Sequence, residues 1–338
     1  MPIDRRGTLD ALVDATGGRV RRVQCVDPLG RPSYARIGVL GDGVTAVVEM
    51  AEASGLARLT AAERDPERTT TLGTGELVRA ALDGGARTLV VAIGGSATND
   101  GGAGLLAALG ARLLDAEDRP LPPGGAALAR LARVDLSGLD PRLAGVRLRV
   151  ACDVDNPLCG PHGASRVFGP QKGADPAAVE RLDAALARYG AVLARAIGRD
   201  VATVAGSGAA GGLGAGLLAC GAELERGVDL VLDTLRFDEH LRGAAWVFTG
   251  EGRLDAQTAG GKTIAGVVAR AKRAGVPAIA FAGALAKGWE ALLDRGLVAA
   301  FGIGAEPRSV DASLLEGPAD LERTVAQVVR TIAAASGG

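Results

Sequence analysis

The sequence predicts an α/β fold in two domains. A chain of 338 residues has the length of about two ordinary domains, and its 48% hydrophobic content allows a large core. Short apolar runs separated by turn residues fill residues 20–49, a pattern typical of antiparallel strands. From residue 244 onward, strand-like runs alternate with helical ones, which predicts a parallel, doubly wound half.

The chain opens with a helix and an antiparallel meander rather than a βαβ unit. Residues 9–16 have helical spacing and stop at two glycines, a common C-terminal cap. Three runs follow, at residues 20–26, 34–40 and 44–49. An Asp-Gly pair separates the last two, and this dipeptide favours a hairpin turn.

A strand, a glycine-rich turn and a helix come next. Residues 76–82 favour a helix, residues 88–93 a buried strand, and residues 94–104 a turn rich in glycine and hydroxyl groups. Such a turn can bind anionic oxygens, while Asp100 can hold a divalent cation or accept a proton. The alternative is a sharp turn capped by Asn99 or Asp100. The phosphate-binding candidates here are Gly94, Gly95, Ser96, Thr98 and Asn99.

A second strand, residues 146–151, ends in the run Cys152-Asp153-Val154-Asp155-Asn156-Pro157-Leu158. Carboxylates two residues apart at a strand end project to the same side. Asp153 and Asp155 therefore suit metal binding or general-base work. A solvated turn is the alternative, since Asn-Pro favours one.

Two further loops precede the C-terminal half. Residues 168–174 carry little apolar surface and predict an exposed loop, in which Lys172 either faces a phosphate or is simply solvated. After a helix at residues 179–197 comes a third glycine-rich turn, residues 206–214, which includes Gly211 and Gly212. Close backbone packing and an anion cradle both remain open for this turn. Residues 201–222 are long enough to span a bilayer, but their glycines favour a buried loop and a helix start instead.

The most chemically varied stretch is residues 249–263, between an apolar run at residues 244–248 and an amphipathic run at residues 264–273. This pattern predicts a strand, a glycine-rich turn and a helix, with ligands at the carboxyl end of the strand. Ala256 stands where an ATPase-type phosphate loop needs glycine, so that motif fails. A glycine turn followed by a capped helix is the alternative. The functional candidates are Glu251, Arg253, Asp255, Gln257 and Lys262.

Composition excludes several functional classes. A net charge of −1 and 3% aromatic residues argue against nucleic-acid binding. The four cysteines form no C-x-x-C pair and the two histidines are far apart, which argues against structural zinc. Free cysteines fit a reducing compartment, and residues 1–8 carry no apolar run typical of a signal peptide. We therefore expect a cytoplasmic protein that binds neither nucleic acid nor membrane.

Taken together, these runs resemble the class I glycerate kinase family. They include Glu49-Met50-Ala51-Glu52-Ala53-Ser54-Gly55-Leu56 and Thr74-Gly75-Glu76-Leu77, and they occur in the family's order. The other matching runs are residues 94–104, 152–158, 167–174, 208–214 and 249–262.

This resemblance implies ATP-dependent phosphorylation of D-glycerate with magnesium, with 2-phosphoglycerate favoured over 3-phosphoglycerate as the product. It also implies a Rossmann-like parallel-sheet domain, residues 1–16 and 234–338, with a mixed α/β domain inserted at residues 17–233. Arg253 is the expected partner of the substrate carboxylate, and Lys172 or Lys262 neutralises developing charge. The expected catalytic carboxylates, gathered around one pocket, are Asp100, Asp153, Asp155, Glu251 and Asp255, with Asp155 and Asp255 as metal ligands.

One departure from the family concerns the start of the chain. The family typically opens with a strand-helix-strand unit, whereas here Ile3-Asp4-Arg5-Arg6-Gly7-Thr8 stands at the position of its second strand end. We expect a truncated product, or one that depends on a homo-oligomeric partner. The alternative function is an impaired relative that binds nucleotide or a small hydroxy acid. The sequence supports a nicotinamide dehydrogenase less well, since the G-x-G-x-x-G spacing that starts at Gly206 follows a helix rather than a clear strand.

Overall fold

The computed structural model describes residues 7–259, 263–304, 306 and 308–336. The chain divides into two compact units, one ending at Val231 and the other starting at Leu232. Both contain parallel β-sheet and helices, so the predicted α/β class with two domains is confirmed. The assignment of residues 1–16 to the C-terminal domain stays a prediction.

The described helices and strands have the following bounds. The helices are α1 (Thr8–Thr16), α2 (Ala51–Ser54), α3 (Leu72–Asp83), α4 (Ala103–Ala108), α5 (Ala164–Phe168), α6 (Pro176–Ile197), α7 (Ala209–Ala219), α8 (Gly227–Thr234), α9 (Phe237–His240), α10 (Ala256–Ala259), α11 (Thr263–Arg273), α12 (Ala291–Asp294) and α13 (Val310–Ser336). The strands are β1 (Arg19–Val26), β2 (Pro32–Val39), β3 (Thr45–Glu49), β4 (Thr88–Ala92), β5 (Arg112–Leu114), β6 (Arg133–Asp135), β7 (Arg147–Ala151), β8 (Glu223–Glu225), β9 (Val247–Leu254), β10 (Ala278–Leu285) and β11 (Leu297–Gly302).

The first unit is built on a six-stranded sheet in the order β1-β2-β3-β4-β7-β8. Strands β1, β2 and β3 pair antiparallel, which confirms the predicted meander. Strands β3, β4, β7 and β8 run parallel, so their carboxyl ends lie along one edge. Helices such as α3, α4 and α6 contribute Leu77, Leu105 and Leu186 to one continuous apolar core with the sheet. The short antiparallel pair β5-β6 was not predicted.

Helix α1 shows how local sequence and packing agree. It ends at Gly17, whose φ of 64° is the left-handed conformation that glycine adopts without strain. Its apolar face buries Leu9 and Leu12 completely. At the other end, the Leu9 amide donates to Glu49 Oε1 at 3.1 Å, so a carboxylate from the end of β3 satisfies one of the helix's free N–H groups.

The second unit contains a three-stranded parallel sheet in the order β11-β10-β9, with α11 and α13 among its helices. The predicted parallel half is thus confirmed, but the predicted end of β9 is wrong. The strand was expected to stop at residue 248 and instead continues to Leu254, with Arg253 paired to Ala284 of β10. Ladder pairing with β10 extends the strand through glycines that on local grounds predict a turn.

Candidate active site

Most of the predicted site residues of the first unit follow the parallel strands at one edge of the sheet. The exposed Gly94 and Gly95 follow β4, and the exposed Asp153 and Asp155 follow β7. Ligands of open α/β sheets bind at the carboxyl ends of the strands. This edge is therefore the candidate active-site surface of the first unit.

The turn after β4 is exposed only in its first half. Gly95 has a φ of 74°, and its carbonyl accepts a hydrogen bond from the Leu56 amide at 2.9 Å. Ser96 is half-buried and forms a β-bridge with Gly55. Gly94, Gly95 and Ser96 are thus the part of this turn that a phosphate group can reach.

Thr98 and Asn99, in contrast, are completely buried, which corrects the expectation that they line a surface phosphate site. The side-chain amide Nδ2 of Asn99 donates a hydrogen bond to Ser165 Oγ at 2.9 Å. Thr98 Oγ1 and Asn99 Oδ1 have no hydrogen-bond partner among the described residues. Unpaired buried polar atoms cost free energy, so the rest of the network must hold this part of the turn in place.

Asp100 is also fully buried, and its carboxylate is engaged on both oxygens. Oδ2 accepts hydrogen bonds from Thr71 N at 2.8 Å, Thr71 Oγ1 at 2.9 Å and Gly104 N at 3.2 Å, while Oδ1 accepts one from Gly102 N at 3.1 Å. Burial raises the pKa of Asp100, and these hydrogen bonds oppose the rise. In this structure Asp100 thus fixes the turn, as the structural alternative predicted, and its carboxylate is not exposed to a ligand.

Lys172 was expected in an exposed loop, and the structure buries it with only 1% of its surface accessible. Its ammonium donates to the Thr98 carbonyl at 2.7 Å. Burial lowers the pKa of Lys172 to about 7, while the nearby Asp100 carboxylate raises it. Lys172 is thus not a solvent-facing phosphate ligand in this structure.

The third glycine-rich turn packs backbone against backbone. Ala210, Gly211 and Gly212 have φ angles of 54°, 70° and 90°. A Cβ on Gly211 would stand 1.9 Å from the Thr98 carbonyl oxygen, and the Gly101 amide donates to the Gly211 carbonyl at 3.0 Å. Of the two interpretations left open by the sequence, the structure supports close packing for Gly211 and Gly212.

The two carboxylates after β7 differ in their contacts. Asp153 Oδ1 accepts a hydrogen bond from Gly227 N, the first residue of α8, at 2.8 Å. Asp155 is exposed and makes no hydrogen bond or ion pair within the described residues. Asp155 is therefore the more available of the two for a cation.

In the second unit, the polar side chains cluster at the end of β9. Asp255 Oδ1 accepts hydrogen bonds from Gln257 N at 2.9 Å and Thr258 N at 3.3 Å, which caps the short helix α10. Thr258 Oγ1 donates to Glu251 Oε1 at 2.6 Å. Sequence reasoning missed Thr258, although its place three residues after an aspartate is a helix-start pattern. Lys262 lies outside the described residues.

Arg253 is the most solvent-accessible charge of this cluster. Its side chain is 67% exposed, and its Nε lies 3.6 Å from Asp255 Oδ2. Glu251 and Arg253 line a cavity of about 950 Å³ with Phe281 of β10 and Leu314 of α13. Arg308, a second residue that the sequence did not single out, also lines it and pairs with Asp320 at 3.0 Å.

Comparison with known proteins decides the family. The model of the glycerate kinase family matches residues 6–333. The chain belongs to the glycerate kinase family. As a family member it is a kinase.

Individual relatives agree with this assignment over nearly the whole chain. Glycerate kinase of Bacillus subtilis is 48% identical over 329 residues, which are 96% of this chain and 86% of the relative. Glycerate 2-kinase of Escherichia coli is 44% identical over 328 residues, which are 97% of this chain and 86% of the relative. A crystal structure from Salmonella typhimurium LT2, assigned there as glycerate kinase 2, superposes with a TM-score of 0.89 at 47% identity and covers 98% of this chain and 87% of that one.

Two further observations concern metal-ion sites and membrane-spanning helices. No group of three or more His, Cys, Asp or Glu side chains in the described part is arranged to hold a metal ion. Magnesium sites in kinases, however, need only one or two carboxylates, because substrate phosphates and water complete the coordination. Within residues 7–259, 263–304, 306 and 308–336, no helix has both the length and the apolar character needed to cross a membrane.

Proposed function

We propose that the chain transfers the γ-phosphoryl group of ATP to D-glycerate, with 2-phosphoglycerate as the product. The observation that carries this proposal is the 44–48% identity, over nearly the whole chain, to proteins named glycerate kinase or glycerate 2-kinase. The aligned region covers 96–97% of this chain, so the substrate class of the relatives is the best guide to that of this chain.

In the first unit, we assign phosphate binding to Gly94, Gly95 and Ser96 and cation binding to Asp155. The turn is exposed at the carboxyl edge of the sheet, where backbone N–H groups and a hydroxyl can bind phosphoryl oxygens. Asp155 is exposed and unpaired within the described residues, so its carboxylate can bind a magnesium ion that also contacts the phosphates. Bound magnesium would neutralise charge on the transferring phosphoryl group.

In the second unit, we assign substrate binding to Arg253 and Gln257 and the handling of protons or cations to Glu251 and Asp255. A guanidinium that is 67% exposed can form a bidentate pair with the carboxylate of glycerate. The hydrogen bond from Thr258 Oγ1 orients Glu251. Glu251 and Asp153 are the two candidates for accepting the proton of the attacking hydroxyl, and Asp255 is the second candidate cation ligand.

The test is a kinetic assay of ADP release with D-glycerate, ATP and magnesium, with L-glycerate as the control substrate. Enolase added to the product identifies the isomer, because it dehydrates 2-phosphoglycerate and not 3-phosphoglycerate. We expect turnover that depends on both D-glycerate and magnesium, and an enolase signal without added mutase.

Each alternative outcome has a distinct meaning. An enolase signal that appears only with added mutase assigns the product as 3-phosphoglycerate. ATP binding measured by calorimetry without turnover indicates an impaired relative that retains nucleotide binding. Absence of both binding and turnover in folded protein would refute the proposal.

A further inference from the structure

The use of lysine in this chain is unusual and points to one position. Only four of the 38 Lys and Arg side chains are lysines, and one of them, Lys172, lies before residue 262. Arginine stays charged when buried and presents a broad planar fork, whereas lysine is slender and can lose its proton. In a chain that otherwise carries positive charge on arginine, a fully buried lysine marks a site that a guanidinium cannot serve.

Three separate segments meet at the atom that Lys172 binds. The Thr98 carbonyl oxygen accepts a hydrogen bond from the Lys172 ammonium at 2.7 Å. The same oxygen lies against the Cα side of Gly211, where a Cβ would stand 1.9 Å away. Residues 94–104, 170–172 and 206–214 therefore converge on one carbonyl group.

This carbonyl lies just beyond the exposed part of the turn. On the near side, Leu56 N donates to the Gly95 carbonyl at 2.9 Å and Ala97 N donates to the Ser54 carbonyl at 3.0 Å. On the far side, the Asp100 carboxylate and the Lys172 ammonium hold the chain. The accessible residues Gly94 to Ser96 are thus held by the first set of hydrogen bonds at Gly95 and Ala97, and the second set, at Thr98 and Asp100, fixes the chain directly after them.

The hydrogen bonds of Asp100 and Lys172 hold a segment whose conformation itself costs free energy. Thr98 Oγ1 and Asn99 Oδ1 are buried without partners in the described residues, and Ala210, the residue before Gly211, adopts a φ of 54°. Strained or unsatisfied local structure persists only where the surroundings hold it, and it concentrates at functional sites. Removing the Lys172 ammonium should therefore loosen the turn rather than leave it unchanged.

We propose that Lys172 is a positioning residue that holds the Gly94–Ser96 turn in its phosphate-binding conformation through the Thr98 carbonyl. The inference rests on the proposed function for the identity of the ligand, ATP. Its structural half, the coupling of Lys172 to the turn, can be tested without catalysis.

The test compares Lys172→Met, which keeps an unbranched side chain without the ammonium, with Lys287→Met, which removes an exposed lysine of the second unit. Amide hydrogen exchange is followed by mass spectrometry. We expect exchange of peptides covering residues 94–102 to become at least fivefold faster in Lys172→Met and unchanged in the control. Unchanged exchange in Lys172→Met would overturn the inference, whether or not the wild-type chain has activity.

Kinetics separate positioning from a merely structural contribution. For Lys172→Met we expect the KM for ATP to rise at least fivefold and the KM for D-glycerate to change less than twofold. Lys172→Arg should not rescue the KM for ATP, because the broad guanidinium does not fit the buried site. Loss of folded protein with unchanged KM values in the remaining active fraction would contradict the positioning role. If wild-type protein shows no turnover, the proposed function fails, and ATP affinity measured by calorimetry replaces KM in the same comparison.

Discussion

Replacement of Asp100 by alanine should destabilise the first unit strongly. The mutation leaves three buried backbone N–H groups, those of Thr71, Gly102 and Gly104, without their acceptor, while the Thr71 hydroxyl can rotate to another partner. An orphaned buried donor costs about 1–3 kcal/mol, so the three together cost about 3–9 kcal/mol. Loss of a desolvated carboxylate offsets part of this cost, and we expect a net loss of about 3–5 kcal/mol.

Asp100→Asn provides a graded comparison. The amide oxygen can occupy the position of Oδ2 and keep the hydrogen bonds from Thr71 N, Thr71 Oγ1 and Gly104 N, while the amide nitrogen faces the Gly102 N–H. The hydrogen bond from Gly102 N is lost and two N–H donors then face each other, so we expect the free energy of unfolding to fall by about 1–3 kcal/mol. Because burial raises the pKa of Asp100, the wild-type chain loses stability as pH rises from the ordinary pKa of an aspartate toward the raised pKa, and the asparagine variant should lack this loss.

Urea unfolding measures these losses unit by unit. Both tryptophans, Trp246 and Trp289, belong to the second unit, so their fluorescence reports on it, while far-UV circular dichroism reports on the whole chain. The matched control is Asp155→Ala, which removes an exposed carboxylate without a hydrogen bond in the described residues and should change stability by less than about 0.5 kcal/mol. A loss below about 1 kcal/mol for Asp100→Ala would refute the structural role of this carboxylate.

Three further substitutions test other parts of the structure. Gly211→Ala combines a φ of 70° with a 1.9 Å approach to the Thr98 carbonyl, so we expect a loss of at least about 3 kcal/mol in urea unfolding or no soluble protein; near wild-type stability would contradict the packing. Arg253→Lys should raise the KM for D-glycerate about tenfold with unchanged stability, since lysine cannot form a bidentate pair, and an unchanged KM would reject the assignment. In the wild-type chain, stability should rise between about pH 7 and 10.5, because over this range the unfolded chain still binds the Lys172 proton that the folded chain has lost. Lys172→Met should abolish this rise, and an equal rise in the variant would contradict the buried position of Lys172.

Local pattern was sufficient where an element is determined by its own residues. Helix α1 ends at Gly17 as expected, because a left-handed residue is needed there and glycine supplies it. The meander β1-β2-β3 and the long helix α6 also agree with their predicted positions. In α6, Asp175 caps the first turn and Gly198, with a φ of 73°, ends the last. Each of these signals lies within a few residues of the feature that it determines.

Tertiary structure decided which candidate residues face solvent. From sequence, Asp100 and Asp155 are equivalent carboxylates after parallel strands, yet one is fully buried and the other exposed. Lys172 lies in a segment with little apolar content and is nevertheless buried, where its ammonium donates to the Thr98 carbonyl. This partner is 74 residues away in the sequence, so local pattern could not predict it. Strand β9 continues past its glycines because β10 pairs with it.

The sequence by itself therefore determined the family and the class of fold, since these follow from short motifs and periodic patterns in a fixed order. Only the folded chain decided the role of each polar side chain, because burial and hydrogen bonding depend on partners that are distant in sequence. Those partners divide the glycine-rich turns into an exposed part, Gly94 to Ser96, and a buried framework around the Thr98 carbonyl.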